Sequence, residues 1–183
     1  MRKLSALVVT HERASVGEIE ACFDGDVEHL LSELFSDERV DECMVVSTCN
    51  RFEVYVVSST ASKVLLELAR SLKIPLRLVD ILSCEECLYH LLRLGAGLES
   101  MVVGENQILG QLKEMYLLAK GMGTTGKVLD TAVSKAIQVG KLVRSRTGIS
   151  KGSVSIGSVS VELAEQELGS LDGKKVMMVR KLE

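Results

Sequence analysis

The 183-residue sequence is 46% hydrophobic and has a net charge of −3, which supplies a sizeable core and gives no overall reason to expect nucleic-acid binding. Tryptophan is absent and aromatic residues make up 3%, so base-stacking surfaces for single strands are poorly supplied. No apolar run approaches the roughly 20 residues that cross a bilayer and no leader pattern is present, so we expect a cytoplasmic protein with no membrane partner.

The first half of the chain predicts an α+β unit. "KLSALVVT" is typical of a buried strand, "SVGEIEACF" has helical spacing, and a second helix is expected over 27–35. Two β-rich runs flank "TCNR", and a helical stripe through Val64, Leu65 and Leu68 ends before the single proline, Pro75. With a further strand over 76–81, the order β-α-α-β-β-α-β is compatible with helices on one face of an open sheet, as in ferredoxin-like α/β sandwiches.

The second half predicts a helical segment. "CEECLYHLLRLGAGLES", "ENQILGQLKEMYLLAKGM" and "KVLDTAVSKAIQVGKLVRSR" all favour helices. In the last, the apolar positions repeat at helical steps and predict one packed face: Val128, Ala132, Ala136, Val139 and Val143. A Gly/Ser-rich break then leads to another helix in "SIGSVSVELAEQELGSL" and to the start of a buried strand in "DGKKVMMVR". Such a strand opens many dinucleotide-binding units, yet no glycine-rich loop follows, so we expect a truncated protein.

Cys49 is the first candidate for chemistry. Five cysteines in a chain without an export signal indicate reduced thiols. A cysteine at the end of an apolar strand is often buried filler. However, Cys49 lies where a strand enters a turn, and Arg51 can stabilise a thiolate or bind a carboxylate with both nitrogens. The residues alone therefore leave a nucleophile and a structural cysteine both open.

Cys84, Cys87 and His90 form a second pattern, which invites a metal or redox interpretation. Structural zinc sites need four ligands, and no second pair appears at a plausible spacing. The two residues between the cysteines are glutamates, which disfavour a thiolate. We therefore expect two ordinary helix cysteines and no metal site.

"STCNRFEVY" and "HLLRLGAGLESMVVGENQILGQLKEMY" together resemble the glutamyl-tRNA reductase family. The resemblance extends over nearly the whole chain and implies the first step of tetrapyrrole synthesis. Cys49 would displace tRNA from the α-carboxyl ester of glutamyl-tRNA, and hydride from NADPH would convert the thioester to glutamate-1-semialdehyde. Cysteine suits this chemistry, because a thioester accepts hydride more readily than an oxygen ester does.

The resemblance also implies site residues. Cys49 and His90 are expected to be catalytic. Substrate contacts are expected from eight residues: Thr48, Asn50, Arg51, Ser100, Glu105, Asn106, Gln107 and Gln111. The family's usual Glu-Pro-Gln is Glu-Asn-Gln here. Helical geometry places His90 opposite its neighbouring leucines, so a solvated surface histidine is the alternative to a general acid or a positioning donor.

Domain boundaries follow from the same resemblance. We expect an α+β catalytic subdomain over 1–95, a helical part of the catalytic domain over 96–150, and a linker helix with the first strand of a truncated NADPH-binding domain over 151–183. The NADPH site and the C-terminal helices of the family's homodimer would then be absent from this chain. The partners implied are glutamyl-tRNA and glutamate-1-semialdehyde aminomutase. A fragment of this kind is expected to form the thioester without completing the reduction.

Two features of the helical segment stay open at this point. Its basic residues fit either a tRNA-facing patch or a solvated helix end: Lys127, Lys135, Lys141, Arg144 and Arg146. Three glycines are expected to let the backbone approach the substrate closely: Gly95, Gly97 and Gly104. Two other functions also remain, a cysteine acyl-hydrolase or acyl-transferase without reduction and a non-catalytic tRNA-binding module.

Overall fold

The computed structural model describes residues 2–150, 156–175 and 177. The strands are β1 (Lys3–Thr10), β2 (Glu42–Thr48), β3 (Arg51–Ser58) and β4 (Asp80–Ser83). The helices are α1 (Val16–Cys22), α2 (Val27–Ser36), α3 (Ala61–Ser71), α4 (Glu85–Ala96), α5 (Gln107–Gly121), α6 (Lys127–Arg146) and α7 (Ile156–Leu168). The described residues thus confirm an α+β chain with the predicted order of strands and helices.

The four strands form one sheet in the order β2-β3-β1-β4, with every neighbouring pair antiparallel. All residues of β3 are buried, and alternate side chains meet helices on opposite faces. On one face Phe52 stacks on Phe23, which follows α1, with ring centroids 5.2 Å apart. On the other face Glu53 contacts His90 of α4. The predicted order of elements placed helices on one face of the sheet and did not predict that the helical second half of the chain packs on the opposite face.

The strand predicted over 76–81 was placed too early. Leu76–Leu78 forms a 3₁₀ turn, and β4 begins at Asp80. Pro75, with φ −59°, fixes the backbone for a turn, and its carbonyl accepts the N–H of Leu78 at 2.9 Å. The turn uses donors that a strand would have offered to a neighbour, so pairing with β1 starts only afterwards.

The long helix α6 packs through a slightly different face from the predicted one. Its buried residues are Leu129, Ala132, Val133, Ala136 and Gly140. The predicted stripe includes both alanines, but Val128 is exposed. The difference arises because α6 crosses α4 at Gly140 and Gly95, where the backbones come closer than a side chain would allow. This crossing, which the apolar pattern does not reveal, sets the rotation of α6.

The predicted helix in the last part of the chain is confirmed as α7. The strand predicted in "DGKKVMMVR" includes residues 176 and 178–180, which lie outside the described residues, as do residues 151–155 of the preceding break. Among the helices of the described segments, none has both the length and the apolar run needed to cross a membrane.

Candidate active site

Cys49 lies at the tip of a tight hairpin. Thr48 of β2 pairs with Arg51 of β3, so Cys49 and Asn50 alone make the turn. The Thr48 hydroxyl accepts the N–H of Asn50 at 3.3 Å, and the Asn50 carbonyl accepts the N–H of His11 at the end of β1, also at 3.3 Å. The turn is thereby fastened from both sides, and the Cys49 side chain is exposed. The expected presentation of this thiol at a strand-to-turn junction is confirmed.

Three of the other four cysteines are less suited to act as nucleophiles. Burial raises the pKa of Cys43 and of Cys87 to about 12, and it also raises the pKa of Cys22. These thiols are therefore protonated at neutral pH, and the nucleophile is the thiolate. Cys84 is the second exposed cysteine and precedes α4.

A buried cluster of charged side chains lies on the face of β3 that α4 covers. Arg51 is 2% exposed and Glu53 0% exposed. One carboxylate oxygen of Glu53, Oε1, accepts a hydrogen bond from Nη1 of Arg51 at 2.7 Å and lies 3.2 Å from Nε2 of His90. The other oxygen, Oε2, accepts the hydroxyl of Tyr55 at 2.6 Å. Arg51, Glu53 and Tyr55 alternate along β3, so their side chains emerge on one face.

The cluster is electrostatically balanced around Glu53. Burial alone would raise the pKa of Glu53, but the charges of His90 and Arg51 overcome it and lower the pKa to about 2. Burial likewise acts to lower the pKa of His90, but the charge and hydrogen bond of Glu53 together with the charge of Glu99 outweigh it, so the pKa is raised above 6.5. An ionised carboxylate can only accept hydrogen bonds. Nε2 of His90 therefore carries a proton and donates a hydrogen bond to Glu53.

The loop between α4 and α5 closes over this cluster. The carbonyl oxygen of Glu99 accepts a hydrogen bond from Nη2 of Arg51 at 2.5 Å. The Glu99 carboxylate accepts a hydrogen bond from Nε of Arg93 and lies 3.7 Å from Nδ1 of His90. Gly97 and Gly104, with φ of +82° and +85°, form the two ends of the loop and are joined by a 2.9 Å hydrogen bond. Positive φ suits glycine, which has no Cβ to clash.

Of the eight substrate residues expected from the resemblance, Thr48, Asn50 and Arg51 lie at the hairpin. The other five fall into two groups along the chain. Ser100, which follows Glu99, is 6% exposed, and its hydroxyl has no hydrogen-bond partner among the described residues. The second group lies at the start of α5: Glu105, Asn106, Gln107 and Gln111. Within the described part of the chain, no side-chain hydrogen bond joins this second group to Cys49, Arg51 or His90. Their substrate roles remain predictions.

Two expectations about the helical segment need correction. Arg144 is not a free surface cation, since its guanidinium donates to the carbonyl oxygens of Gly95 at 2.6 Å and Glu105 at 2.7 Å.

The glycines of this region make room for the protein itself and not for a substrate. A Cβ on Gly95 would collide with the carbonyl of Ala136, and a Cβ on Gly104 with that of Ile149.

The orientation predicted for His90 was wrong. His90 lies on the buried face of α4 with Cys87, Leu91 and Leu94, whereas Leu88 is exposed. The helix has apolar residues around much of its circumference, so the pattern alone cannot select the buried face. The ion pair with Glu53 lets a histidine occupy a core position.

Glu53 and Glu99 were not identified from the sequence. In "RFEVY" the period of two along a strand places Arg51, Glu53 and Tyr55 on one face. Three polar side chains on one face of a buried strand is a signal that could have identified Glu53. No comparable signal points to Glu99, because its contacts depend on how the loop folds back.

An apolar groove of about 690 Å³ lies elsewhere, between the start of β1, α4 and α6. It is lined by Leu4, Leu88, Leu92 and Val128, with Lys135 at its border. It contains none of the residues of the hairpin tip or the buried cluster. The groove is therefore not the site of the Cys49 chemistry.

Comparison with known proteins connects this geometry to a family. The family model "Glutamyl-tRNAGlu reductase, N-terminal domain" matches residues 7–147. The glutamyl-tRNA reductase of Methanothrix thermoacetophila is 54% identical over 179 residues, which cover 98% of this chain and 43% of that protein. The corresponding protein of Methanosarcina acetivorans is 50% identical, over 98% of this chain and 39% of its own length.

A solved structure agrees. Glutamyl-tRNA reductase from Methanopyrus kandleri superimposes with a TM-score of 0.74 at 35% identity, covering 91% of this chain and 40% of that one. The chain thus spans about two fifths of the length of the curated relatives it matches. Because the family model covers more than half of the sequence and the solved structure has the same fold, this chain belongs to the glutamyl-tRNA reductase family, to whose N-terminal domain it corresponds.

Proposed function

We propose that this chain carries the nucleophile of a glutamyl-tRNA reductase and forms a glutamyl thioester on Cys49. The observation that carries the proposal is the exposed thiol at the hairpin tip, two residues from the buried cluster of Arg51, Glu53 and His90. Thiolate attack on the α-carboxyl carbon of glutamyl-tRNA would form the S–C bond. Collapse of the tetrahedral intermediate would break the C–O bond to the terminal ribose.

His90 is the proposed general acid of this step. The ribose oxygen leaves as an alkoxide unless it receives a proton, and an imidazolium can supply one. The pKa of His90 is raised by the charges of Glu53 and Glu99 against burial, which shifts the ring toward the imidazolium. Histidine is suited to this role because its ordinary pKa lies close to 7.

The proposed substrate contacts are those the family resemblance implies. Ser100 offers a buried hydroxyl without a partner, a group that a bound substrate could satisfy. For Arg51, both Nη atoms already have acceptors within the protein, on Glu53 and Glu99. A glutamate carboxylate would therefore share or replace one of these acceptors. Thr48, Asn50, Glu105, Asn106, Gln107 and Gln111 complete the proposed set.

The glycines of the loop between α4 and α5 do not form a dinucleotide-binding loop. Gly97 and Gly104 are filled by the chain's own atoms: a Cβ on Gly97 would come within 2.9 Å of Arg144, and a Cβ on Gly104 would overlap Ile149. A dinucleotide loop needs glycines that leave space for the pyrophosphate. NADPH as the hydride source is thus proposed only for the longer protein, and no residue described here is assigned to it.

The finer architecture is also a proposal. A ferredoxin-like α/β sandwich is supported by the strand order β2-β3-β1-β4 with antiparallel neighbours, and α7 is the proposed linker helix. The divisions at 95 and 150 remain predictions. So do the cytoplasmic location, and the homodimer and the aminomutase partner that the family resemblance implies.

Intact-mass spectrometry tests the central step. The chain is incubated with glutamyl-tRNA, quenched in acid and weighed, and we expect the mass of one glutamyl group on Cys49. Cys49→Ser should abolish a thioester that neutral hydroxylamine removes. Cys84→Ser, at the other exposed cysteine, is the matched control and should be acylated like the wild type. A hydroxylamine-sensitive adduct that persists in Cys49→Ser would remove Cys49 from the mechanism.

The proposed tRNA contact needs a separate test on side chains that are free to make it. Lys141 and Arg146 are exposed on α6, whereas Arg144 is engaged inside the protein. If both bind phosphates, the double change to alanine should reduce the slope of log affinity against log salt by about 2. An unchanged slope would place the tRNA on another surface.

A further inference from the structure

The buried cluster contains two carboxylates for which the proposed chemistry has no direct use. Glu53 is completely buried and uses a single oxygen, Oε1, to hold Arg51 at 2.7 Å and His90 at 3.2 Å. A buried carboxylate is unfavourable unless it is paired and hydrogen-bonded. Here it joins two elements that are distant in sequence, because Arg51 belongs to β3 and His90 to α4.

Glu99 meets the same two residues from the other side. Its carbonyl accepts the second terminal nitrogen of Arg51, and its carboxylate lies 3.7 Å from Nδ1 of His90. Arg93 holds the Glu99 carboxylate through its Nε, which fixes the direction in which that side chain points. The imidazole thus lies between two carboxylates, one facing each ring nitrogen.

We propose that Glu53 and Glu99 are positioning residues that hold His90 and Arg51 in place between strand β3 and the α4–α5 loop. This inference rests on the proposed function, since it assigns a purpose to the arrangement around His90. Glu53 fixes the Nε2 side of the ring, so the proton on Nδ1 is the one available for transfer. Glu99 stabilises the charged ring and, through its carbonyl, the guanidinium that stands beside it.

A purely structural ion-pair cluster is the alternative. Titration of His90 shows whether the two carboxylates act on the ring, and the rate of thioester formation in the same variants separates positioning from a structural role. The charged or titratable groups around the ring are Glu53, Arg51 and Tyr55 on β3, Glu99 in the loop, and Cys87 on α4 itself. NMR titration of the His90 ring in the 183-residue chain is the direct measurement. In Glu53→Gln, burial is no longer opposed by this carboxylate, so the His90 pKa should fall below 6.5.

Two further variants sharpen the test. Glu99→Gln should lower the His90 pKa by a smaller amount, because the Glu99 carboxylate lies 3.7 Å from the ring and the Glu53 carboxylate lies 3.2 Å from it. Tyr55→Phe is the matched control: it removes the hydrogen bond to the other oxygen of Glu53 and leaves Oε1 in place. Tyr55→Phe should leave the pKa above 6.5. If His90 titrates in both glutamine variants as in the wild type, the proposal is overturned.

Kinetics connects the titration to the reaction. In Glu53→Gln the rate of thioester formation should fall by about 100-fold, near the lower limit of what general acid catalysis contributes. Its pH dependence should move down with the His90 pKa, and Glu53→Asp should restore part of both. If Glu53→Gln does not fold, Glu99→Gln decides alone: a lowered His90 pKa supports the proposal, and an unchanged one overturns it.

The same experiments keep the two proposals apart. A wild-type chain that forms no thioester but shows the expected His90 titrations would contradict the proposed function, and would leave only the effect of Glu53 and Glu99 on the charge of His90. A wild-type chain that is acylated, with unshifted titrations in the variants, would contradict only the positioning roles.

Discussion

The guanidinium of Arg144 donates a 2.7 Å hydrogen bond to the carbonyl oxygen of Glu105. This contact ties the end of α6 to the segment that leads into α5, and a second bond to Gly95 ties it to α4. The helical half of the chain thus holds the loop around Ser100 in place. Arg144 therefore stabilises the packing of α6 against α4 and the α4–α5 loop, and its guanidinium is not available to an external phosphate.

We predict that Arg144→Ala destabilises the chain by about 1.5–3 kcal/mol, because two carbonyls lose a charged donor. Lys141→Ala and Arg146→Ala, at exposed positions of α6, should each change stability by no more than about 0.5 kcal/mol. Urea unfolding monitored by circular dichroism measures all three. Equal effects at the three positions would show that the internal bonds of Arg144 contribute nothing.

Gly95→Ala should be strongly destabilising. The added methyl would collide with the Ala136 carbonyl at the crossing of α4 and α6, and overpacking of this kind costs about 1–3 kcal/mol or more.

Gly110→Ala in α5 is the matched control for Gly95→Ala. Apart from the adjoining backbone of α5, no atom of the described chain lies within 4 Å of the new methyl. The usual gain of about 0.5–1 kcal/mol for alanine over glycine in a helix is therefore expected. Thermal unfolding of the two variants should show shifts of opposite sign. A tolerated Gly95→Ala would mean that the helices can separate at low cost.

Asn106→Pro should stabilise the start of α5. Asn106 is the N-cap of this helix with φ −85° and no capping side-chain bond, so proline fits without losing an interaction. Restricting the unfolded chain typically gains about 0.4–1 kcal/mol. This change also restores the Glu-Pro-Gln of the family's usual pattern. The midpoint of thermal unfolding should rise, and a fall would show that residue 105 or 106 cannot adopt the required backbone.

Stability should pass through a maximum in mildly acidic solution because of Glu53 and His90. The pKa of Glu53 is lowered from 4.5 to about 2, so its contribution is fully present above 4.5 and disappears as the pH falls to 2. The pKa of His90 is raised, so its contribution is complete below 6.5 and is lost as the pH rises through the folded-state value. The free energy of unfolding lost on the alkaline side is about 1.4 kcal/mol for each unit by which folding raises the pKa of His90.

His90→Gln tests the alkaline part of this profile. Urea unfolding between neutral and mildly alkaline pH should show a flatter curve for His90→Gln than for the wild type. His29→Gln, at an exposed histidine of α2, should leave the slope unchanged. Parallel slopes in all three proteins would mean that His90 is not held in its charged form.

The elements that depend on local pattern were predicted well. The hairpin around Cys49, the helices α1 to α3 and the helix α7 all follow from periodicity, caps and the position of Pro75. In α1, Ser15 and Glu18 form the capping box that such a start requires. Local sequence is sufficient in these cases because the signals lie within the element itself.

The errors concern contacts between distant parts of the chain. His90 was placed on the solvent side because its partner, Glu53, lies 37 residues earlier. The rotation of α6 depends on a glycine of α4, and the second helical layer on β3 was not anticipated. The sequence therefore predicted the exposed position of Cys49 at a turn, and only the structure revealed the carboxylates that surround the histidine.

The two-residue turn that presents Cys49 has one more consequence. Both strands leading to it are paired, and the turn is anchored to β1 through His11, so the sulfur has little freedom to travel toward an incoming ester. Selectivity between esters would then depend on where each ester is placed relative to the sulfur. If Cys49 attacks glutamyl-tRNA as proposed, an aminoacyl end that enters slightly out of line would not reach the sulfur, and the position of the bound ester would affect selectivity.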